Sequence, residues 1–363
     1  MDTSRRFRLS SNHMSKSPGS LGFSMPAEWE THEATWLAWP HHPTDWPGKL
    51  NTIRWVYTEI VRKIAAGETV RLLVRSKEEA RTAARYLQRA GAGDAAVDFI
   101  VHPTNRGWTR DSGPLFVRRN TGRRLETAIV HFHFNAWAKY GDWQKDRRVP
   151  ETAARHLGKR LFDAPIVLEG GGIEVNGRGT VVTTEECYLH PSIQVRNPGM
   201  ERAEFEAALR GWLGVANVCW LAGGPAGDDT HGHVDDICRF VNARTLVLVR
   251  EVNPADINYR PLAENWERVA DLRLEDGSRP EVVALPMPSP LYFAGDRLPA
   301  SYANFYVSNA AVLVPTFNDP LDRVALGILG DLFRDRPVVG IHCVDMILGF
   351  GSLHCLSQQE PAT

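Results

Sequence analysis

No stretch of this 363-residue chain stays apolar for long. The longest hydrophobic runs, at Thr245–Val249 and Ala310–Val314, are the size of a strand. A membrane-crossing helix needs roughly 18 such residues, so none is expected. An excess of either charge is also missing: 42 Lys and Arg face 43 Asp and Glu, a formal net charge of −1. No overall positive field would hold the chain on nucleic acid or an anionic membrane, and neither is expected as a partner. Cysteine is scarce, with five residues (Cys187, Cys219, Cys238, Cys343, Cys355), odd in number and without a Cys-x-x-Cys pair. That pattern argues against a disulfide scaffold and a structural zinc site. Gly170-Gly-Gly172 and Gly349-Phe-Gly351 lack the Gly-Lys-Ser/Thr or full Gly-x-Gly-x-x-Gly context of a phosphate cradle. The segment 1–22 lacks the apolar centre of a secretory signal and is rich in Arg and Ser. It reads as a flexible tail on a cytoplasmic protein, with Met14 and Met25 as alternative starts.

What is present is the composition of a globular protein, 43% hydrophobic and 23% charged. Short β-rich runs recur at Thr35–Trp39, Val70–Val74, Leu115–Val117, Ala128–Phe132, Gly179–Thr184, Thr245–Val249, Val282–Leu285, Ala311–Pro315 and Val338–Ile341. Between them, Leu50–Ala65, Glu78–Ala90, Met200–Leu213 and Pro320–Phe333 carry apolar residues at helical spacing. This alternation predicts an α/β fold. No linker divides residues 23–363, so one domain is expected there. Polar clusters open strands at Glu28–Trp39, Trp108–Val117, Glu169–Thr184, His233–Val249 and Ser301–Pro315, with a last cluster at Gly349–Leu356. Such recurrence suits a radially repeated fold whose units each deliver residues to a central site.

Three constellations could carry chemistry. Cys355 follows His354 and a turn containing Gly349 and Gly351, where a thiol could act as a nucleophile; the other four cysteines sit among apolar neighbours and read as packing. In Gly227–Asp236, an extended backbone would project His231, His233 and Asp235 to one face and turn Val234 and Asp236 away. A histidine among carboxylates is an acid/base candidate. In Asn105–Pro114, Trp108 and Asp111 lie three apart in a loop, an aromatic plane and a carboxylate suited to a flat cation; a plain Asp111–Arg110 pair is the structural alternative. A thiol, a histidine and two carboxylates together point to attack on the carbon of a guanidinium. Such a cation, once bound, favours thiolate over thiol.

The segments Met25-Pro-Ala-Glu-Trp-Glu-Thr-His-Glu33, Trp108-Thr-Arg-Asp-Ser-Gly-Pro114, Phe134-Asn-Ala-Trp137, Leu168-Glu-Gly-Gly171, Thr184-Glu-Glu-Cys187, Gly232-His-Val-Asp235, Ser301-Tyr-Ala-Asn-Phe-Tyr306 and His354-Cys355 closely resemble, in order, the agmatine deiminase family and its porphyromonas-type peptidyl-arginine deiminase relatives. The resemblance implies a pentein fold, a five-bladed pseudo-symmetric α/β propeller of ββαβ-like units. It also implies a small guanidine substrate, agmatine first, deiminated without metal or other cofactor on a route towards putrescine. By the same match Cys355 is the nucleophile, His233 the general acid/base, and Asp111 and Asp235 the carboxylates that clamp the guanidinium. Trp108 is expected beside the substrate and Asp229 near its distal amine. Arg110, Glu169, His231 and Asn304, in or beside the matching segments, are expected as further substrate-binding positions. The family commonly forms homo-oligomers.

This chain departs from the family at His231, where Asn or Asp is usual, at Glu174 (His or Asp), at Ser352 (Asn) and across Ala138–Lys145, which replaces a Gly-Leu-Tyr-Phe-Pro stretch. A histidine at 231 beside Asp229 could favour a different alkylguanidine, and free or peptidyl arginine stay open as substrates. A metal-dependent hydrolase using His231, His233 and Asp235, with His131 and His133 as a second pair, is the rival from another class. The further histidine expected after the Asp is instead Asp236. A pocket that binds a cation without turnover is a third reading.

Overall fold

The computed structural model describes residues 17–363. Five sheets share one pattern. In four of them an antiparallel pair is extended by a parallel strand that returns after a helix. These are Leu115–Asn120 with Leu125–His133 and then Leu161–Val167, Glu174–Val175 with Thr180–Thr184 and then Asn217–Leu221, Cys238–Asn242 with Thr245–Arg250 and then Glu281–Pro286, and Tyr306–Val307 with Val312–Thr316 and then Val338–His342. In the fifth, the C-terminal strand Gln358–Pro361 runs antiparallel to His32–Ala38, which pairs in parallel with Thr69–Val74 and so on to Val97–Val101. The two ends of the chain therefore complete one unit together. Each polar cluster seen in the sequence lies at the start of one of these antiparallel pairs. A small hairpin, Tyr292–Phe293 with Asp296–Arg297, stands apart.

The helices form where their ends are chemically marked. Lys77–Arg89 begins at Ser76, whose hydroxyl accepts from the Glu79 amide, with Glu78 and Glu79 in the first turn and Arg89 in the last. Arg202–Leu213 opens on a Glu201/Glu204 capping box and stops at Gly214, left-handed at φ 66°. A Cβ at Gly214 would lie 2.0 Å from the Phe23 carbonyl oxygen, so this glycine also lets the N-terminal segment pass close by. Periodicity missed the helices Val149–Leu157 and Tyr259–Ala270 and the sheet strands Val97–Val101, Leu161–Val167 and Asn217–Leu221. Val97–Val101 and Asn217–Leu221 are only partly buried, and a strand that is half exposed carries a weak hydrophobic signal.

The expected tail boundary moves towards the N-terminus. Ser17–Gly22 are folded: the Leu21 and Phe23 amides donate to the Pro18 carbonyl at 3.0 Å, and Gly19 abuts the helix Arg202–Leu213 so closely that a Cβ would sit 2.7 Å from the Arg210 carbonyl oxygen. The rest of that expectation, residues 1–16, lies outside the described residues.

The units meet over a buried carboxylate. Glu28 Oε1 accepts from Arg239 Nη2 and from the Val307 amide, both at 2.9 Å. Glu28 Oε2 accepts from Arg110 Nη2 at 3.1 Å and pairs with His354 Nε2 at 2.7 Å. Four segments far apart in sequence thus converge on one side chain that is 5% exposed. Burial opposes the charge on Glu28, but Arg239, His354 and Arg110 outweigh it and hold the carboxyl well below its usual 4.5. A glutamate with a depressed folded pKa stabilises the fold above its unfolded value and ceases to do so as pH falls through the folded one. Glu28→Gln leaves two buried guanidiniums without their shared counter-charge, and we expect a loss of about 3–5 kcal/mol at pH 7 in denaturant unfolding. The gap between wild type and variant should narrow when the same titration is run below pH 4; an unchanged gap would mean that the Glu28 charge is not the stabilising element.

Candidate active site

A cleft of about 230 Å³ opens among the ends of these units. Trp108, Asp111, Trp137, Tyr140, Asp229, Phe350 and Cys355 are among the residues that line it.

Asp111 sits in a single helical turn, Thr109–Ser112, that is tied to the C-terminal segment. The Arg110 amide donates to the Cys355 carbonyl at 3.2 Å, and the Thr109 hydroxyl donates to the Trp36 carbonyl at 3.1 Å and to that of Leu356. The carboxylate is held at both oxygens, Oδ1 accepting from the Gly171 amide at 3.0 Å and Oδ2 from the Trp137 indole at 2.9 Å. Trp137 reaches it from a strained turn: Ala136, Trp137 and Ala138 have φ of 50°, 59° and 52°. Left-handed backbone in consecutive non-glycine residues costs energy, so it persists only where its surroundings enforce it. Here the Asn135 side chain accepts from the Ala138 amide at 2.9 Å.

The triple glycine serves close packing. A Cβ on Gly171 would lie 2.5 Å from His233 Nδ1, 2.9 Å from Asp111 Oδ1 and 3.1 Å from Asp235 Oδ2. Only a residue without a side chain lets these three groups approach one another. Gly170 and Gly172 are pressed equally tightly, against the Arg110 carbonyl and the Tyr188 hydroxyl.

His233 and Asp235 reach the site by a different local geometry from the one expected. The backbone is not extended: His231 is left-handed at φ 61° and His233 precedes a 3-10 turn, Val234–Asp236. The same-face argument for alternate residues therefore fails. His231 turns aside to Glu186 at 3.0 Å and packs against the His190 ring, while Asp236, expected to face away, accepts from Asn304 Nδ2 at 3.0 Å. His233 stands between two carboxylates, Nε2 3.4 Å from Glu169 and Nδ1 3.7 Å from Asp111. Burial disfavours its charge, but Asp111, Cys187 and Glu169 overcome that and raise its pKa well above the usual histidine value. Asp111 is pushed up to about 6, first by burial, with His233 pulling it down and Asp235 and Glu169 pushing it up.

Cys355 is 5% exposed. Asn304 Nδ2 points at its Sγ from 3.1 Å, and the amide is fixed that way because its oxygen accepts from the Ser352 hydroxyl at 2.8 Å and the His354 amide at 3.1 Å. An N–H aimed at sulfur suits a thiolate. Asp235 Oδ2 lies 3.9 Å from the sulfur and 2.6 Å from His354 Nδ1, whose other nitrogen is the one on Glu28. Burial and then Asp235, Asp236 and Asp111 raise the Cys355 pKa well above its usual value. The free protein thus holds a thiol beside several acids. A cation placed among those carboxylates would reverse the balance. Two polar atoms are buried here without a hydrogen-bond partner, His233 Nδ1 and Asp235 Oδ1, and the carboxylate oxygen is left to accept from a donor-rich ligand.

Of the ten residues singled out in the sequence, Cys355, Asp111, Trp108 and Asp229 line the cleft, with His233 3.7 Å from Asp111 and Asp235 3.9 Å from the Cys355 sulfur. Three others do not line it. Arg110 is buried on Glu28, Gln359 and the His354 carbonyl, Glu169 is chelated by Arg196 Nε at 3.2 Å to both oxygens, and His231 lies against Glu186. Asn304 touches the sulfur rather than the cleft wall. Sequence reasoning gave no role to Glu28, Arg196, Trp137, Asp236 or Lys139. Glu28 and Trp137 lie inside the motifs quoted above and Lys139 inside the departing stretch Ala138–Lys145, whereas Arg196 carried no signal. Cys187, read as packing, lies against His233 and Glu169.

The rival metal set is not assembled, because His231 is diverted and His131 bonds the Arg147 carbonyl at 2.9 Å. Two other trios do bring their ligand atoms within 4.8 Å of one another, Glu169/Cys187/His233 and Asp235/Asp236/Cys355. In each, a carboxylate already has a protein partner, Arg196 for Glu169 and His354 for Asp235.

Comparison with known proteins gives the same picture over the whole chain. The family model of the Porphyromonas-type peptidyl-arginine deiminases matches residues 24–361. The agmatine deiminase of Ectopseudomonas mendocina is 33% identical over 374 residues, covering 96% of this chain and 98% of its own. Among solved structures, an agmatine deiminase of Enterococcus faecalis superposes with a TM-score of 0.87 at 28% identity, over 99% of both chains. A substrate-bound agmatine deiminase of C. jejuni does so with 0.83 at 27% identity, over 93% of this chain and 96% of that one. The mixed α/β sheets are those of the pentein enzymes that act on guanidines. With the motifs, the fold and the cleft in agreement, the chain belongs to the Porphyromonas-type peptidyl-arginine deiminase family and is a hydrolase of the guanidine-deiminating class.

Proposed function

We propose that this protein hydrolyses one C–N bond of a small guanidine, agmatine in the first place, yielding N-carbamoylputrescine and ammonia through a covalent amidino-cysteine. The observation that carries this reading is the cluster of Cys355, His233, Asp111 and Asp235, in which Cys355 and Asp111 line one cleft walled by Trp108 and Trp137 and the other two stand directly against them. The names of the relatives and solved neighbours supply agmatine as the leading substrate. In the same reading the five repeated units form five blades about this cleft, within one catalytic domain beginning no later than Ser17.

Asp111 and Asp235 receive the guanidinium N–H groups, and the bound cation lowers the pKa of the Cys355 thiol, which releases its proton to solvent at the mouth of the cleft. The thiolate attacks the guanidinium carbon, forming a C–S bond and a tetrahedral adduct. His233, held protonated by its carboxylate neighbours, gives its proton to the departing nitrogen; the C–N bond breaks and ammonia leaves. Neutral His233 then takes a proton from water as that water attacks the amidino carbon. The C–S bond breaks with its electron pair going to sulfur, the adduct hydroxyl gives its proton to solvent as the ureido carbonyl forms, and the thiolate is restored. Asn304 Nδ2 remains on the sulfur at each resting point.

A second reading within the same chemistry, deimination of another guanidine such as free arginine, is favoured by Lys139, which bonds the Asp229 carboxylate meant for a substrate amine.

Cys355→Ala should lower ammonia release from agmatine by at least about 10³-fold, and quenched wild-type turnover should show an amidino adduct on Cys355 by mass spectrometry. Activity that survives the substitution would sink the mechanism. Because free Asp111 titrates at about 6, its protonation removes half of the clamp, and kcat/KM should decline as pH falls through 6. The decline in kcat should come at lower pH, since the bound cation favours the carboxylate. A kcat/KM profile flat from pH 7 to 5 would show that Asp111 does not clamp the substrate.

A further inference from the structure

The cleft wall at Asp229 is not a bare anionic site. Asp229 there accepts from the Tyr140 hydroxyl at 2.8 Å and from Lys139 Nζ. The pairing is built in by the backbone: Gln194 Nε2 donates to the Trp137 and Asp229 carbonyls, both at 3.1 Å, clamping the two loops side by side. The nearby cation, Arg106, is committed elsewhere, to buried Asp45 and to Asp142 at 3.7 Å, with its guanidinium 4.4 Å over the Tyr140 ring. Lys139 is 40% exposed against 16% for Asp229, so its ammonium can swing while the carboxylate stays in place.

Agmatine and arginine share the guanidine and the chain up to the carbon that bears the amine; arginine adds a carboxylate on that carbon. A tail with an ammonium alone must share Asp229 with Lys139, bringing two cations onto one carboxylate. A tail with an ammonium and a carboxylate on the same carbon meets complementary charges, ammonium on Asp229 and carboxylate on Lys139.

We propose that Lys139 is the specificity-determining residue for tail charge: by sharing Asp229 it narrows the preference for a bare-amine tail such as that of agmatine and admits guanidines that carry a carboxylate beside the amine. The inference rests on the deiminase reading and names the substrate class of that same cleft.

The test compares agmatine with arginine in wild type, Lys139→Met and Lys139→Arg, by kcat/KM and, in a Cys355→Ala background, by calorimetric Kd. Lys139→Met should shift both ratios towards agmatine by at least about fivefold, and Lys139→Arg, which keeps the charge, should restore most of the wild-type preference. Turnover with a ratio that does not move in Lys139→Met, or that moves equally in Lys139→Arg, overturns the proposal. Shifted Kd ratios without turnover of either guanidine would uphold it and overturn the deiminase reading, whereas neither binding nor turnover overturns both.

Discussion

One buried carboxylate holds this structure together. Glu28 binds two arginines, a backbone amide and a histidine drawn from segments that lie up to 326 residues apart. An ion so deeply buried is tolerable only when its lone pairs are satisfied and its charge is matched, and here both conditions are met by residues of different units. The same contact sets the active site. His354 is fixed on Glu28 by one nitrogen and orients Asp235 with the other, and Asp235 faces the sulfur of Cys355. Structural and chemical order run through a single chain of hydrogen bonds.

Around that chain the site gathers more negative charge than its own cations balance. Burial first, and then Asp235, Asp236 and Asp111 crowded about it, keep the thiol protonated. Desolvation makes this crowding expensive, and Gly171 makes it possible by leaving empty the place of a Cβ that would lie within 3.1 Å of His233, Asp111 and Asp235 alike. A guanidinium entering the cleft offers donors to the unpaired Asp235 oxygen and a charge that favours thiolate. Selectivity for a cation and activation of the nucleophile then share one cause. The cleft wall at Asp229 differs in kind, since Lys139 already neutralises that carboxylate.

Much of the architecture was legible. The alternation of β-rich and helical patterns, and the polar clusters opening each antiparallel pair, follow from burial on the sheets and from loops gathered at one centre. Outer strands such as Val97–Val101 and Asn217–Leu221 escaped because half-exposed segments carry little periodicity. Cys355, His233, Asp111 and Asp235 were recognisable from residue type and from motif order along the chain. The placement of Arg110 and Glu169 was not legible, because a charged residue in a motif does not reveal which way it points, and here one faces Glu28 and the other Arg196.

The sequence by itself determined the α/β class, the set of reactive side chains and the chemistry they can perform together, because those depend on composition, periodicity and functional groups. Only the tertiary structure decided that His233 and Asp235 reach the cleft from a 3-10 turn, that His231 leaves it for Glu186, and that Lys139 occupies Asp229. Those outcomes depend on a backbone turn at φ 61° and on contacts between residues tens to hundreds of positions apart. Local spacing does not encode such contacts, since they exist only once the units have packed against one another.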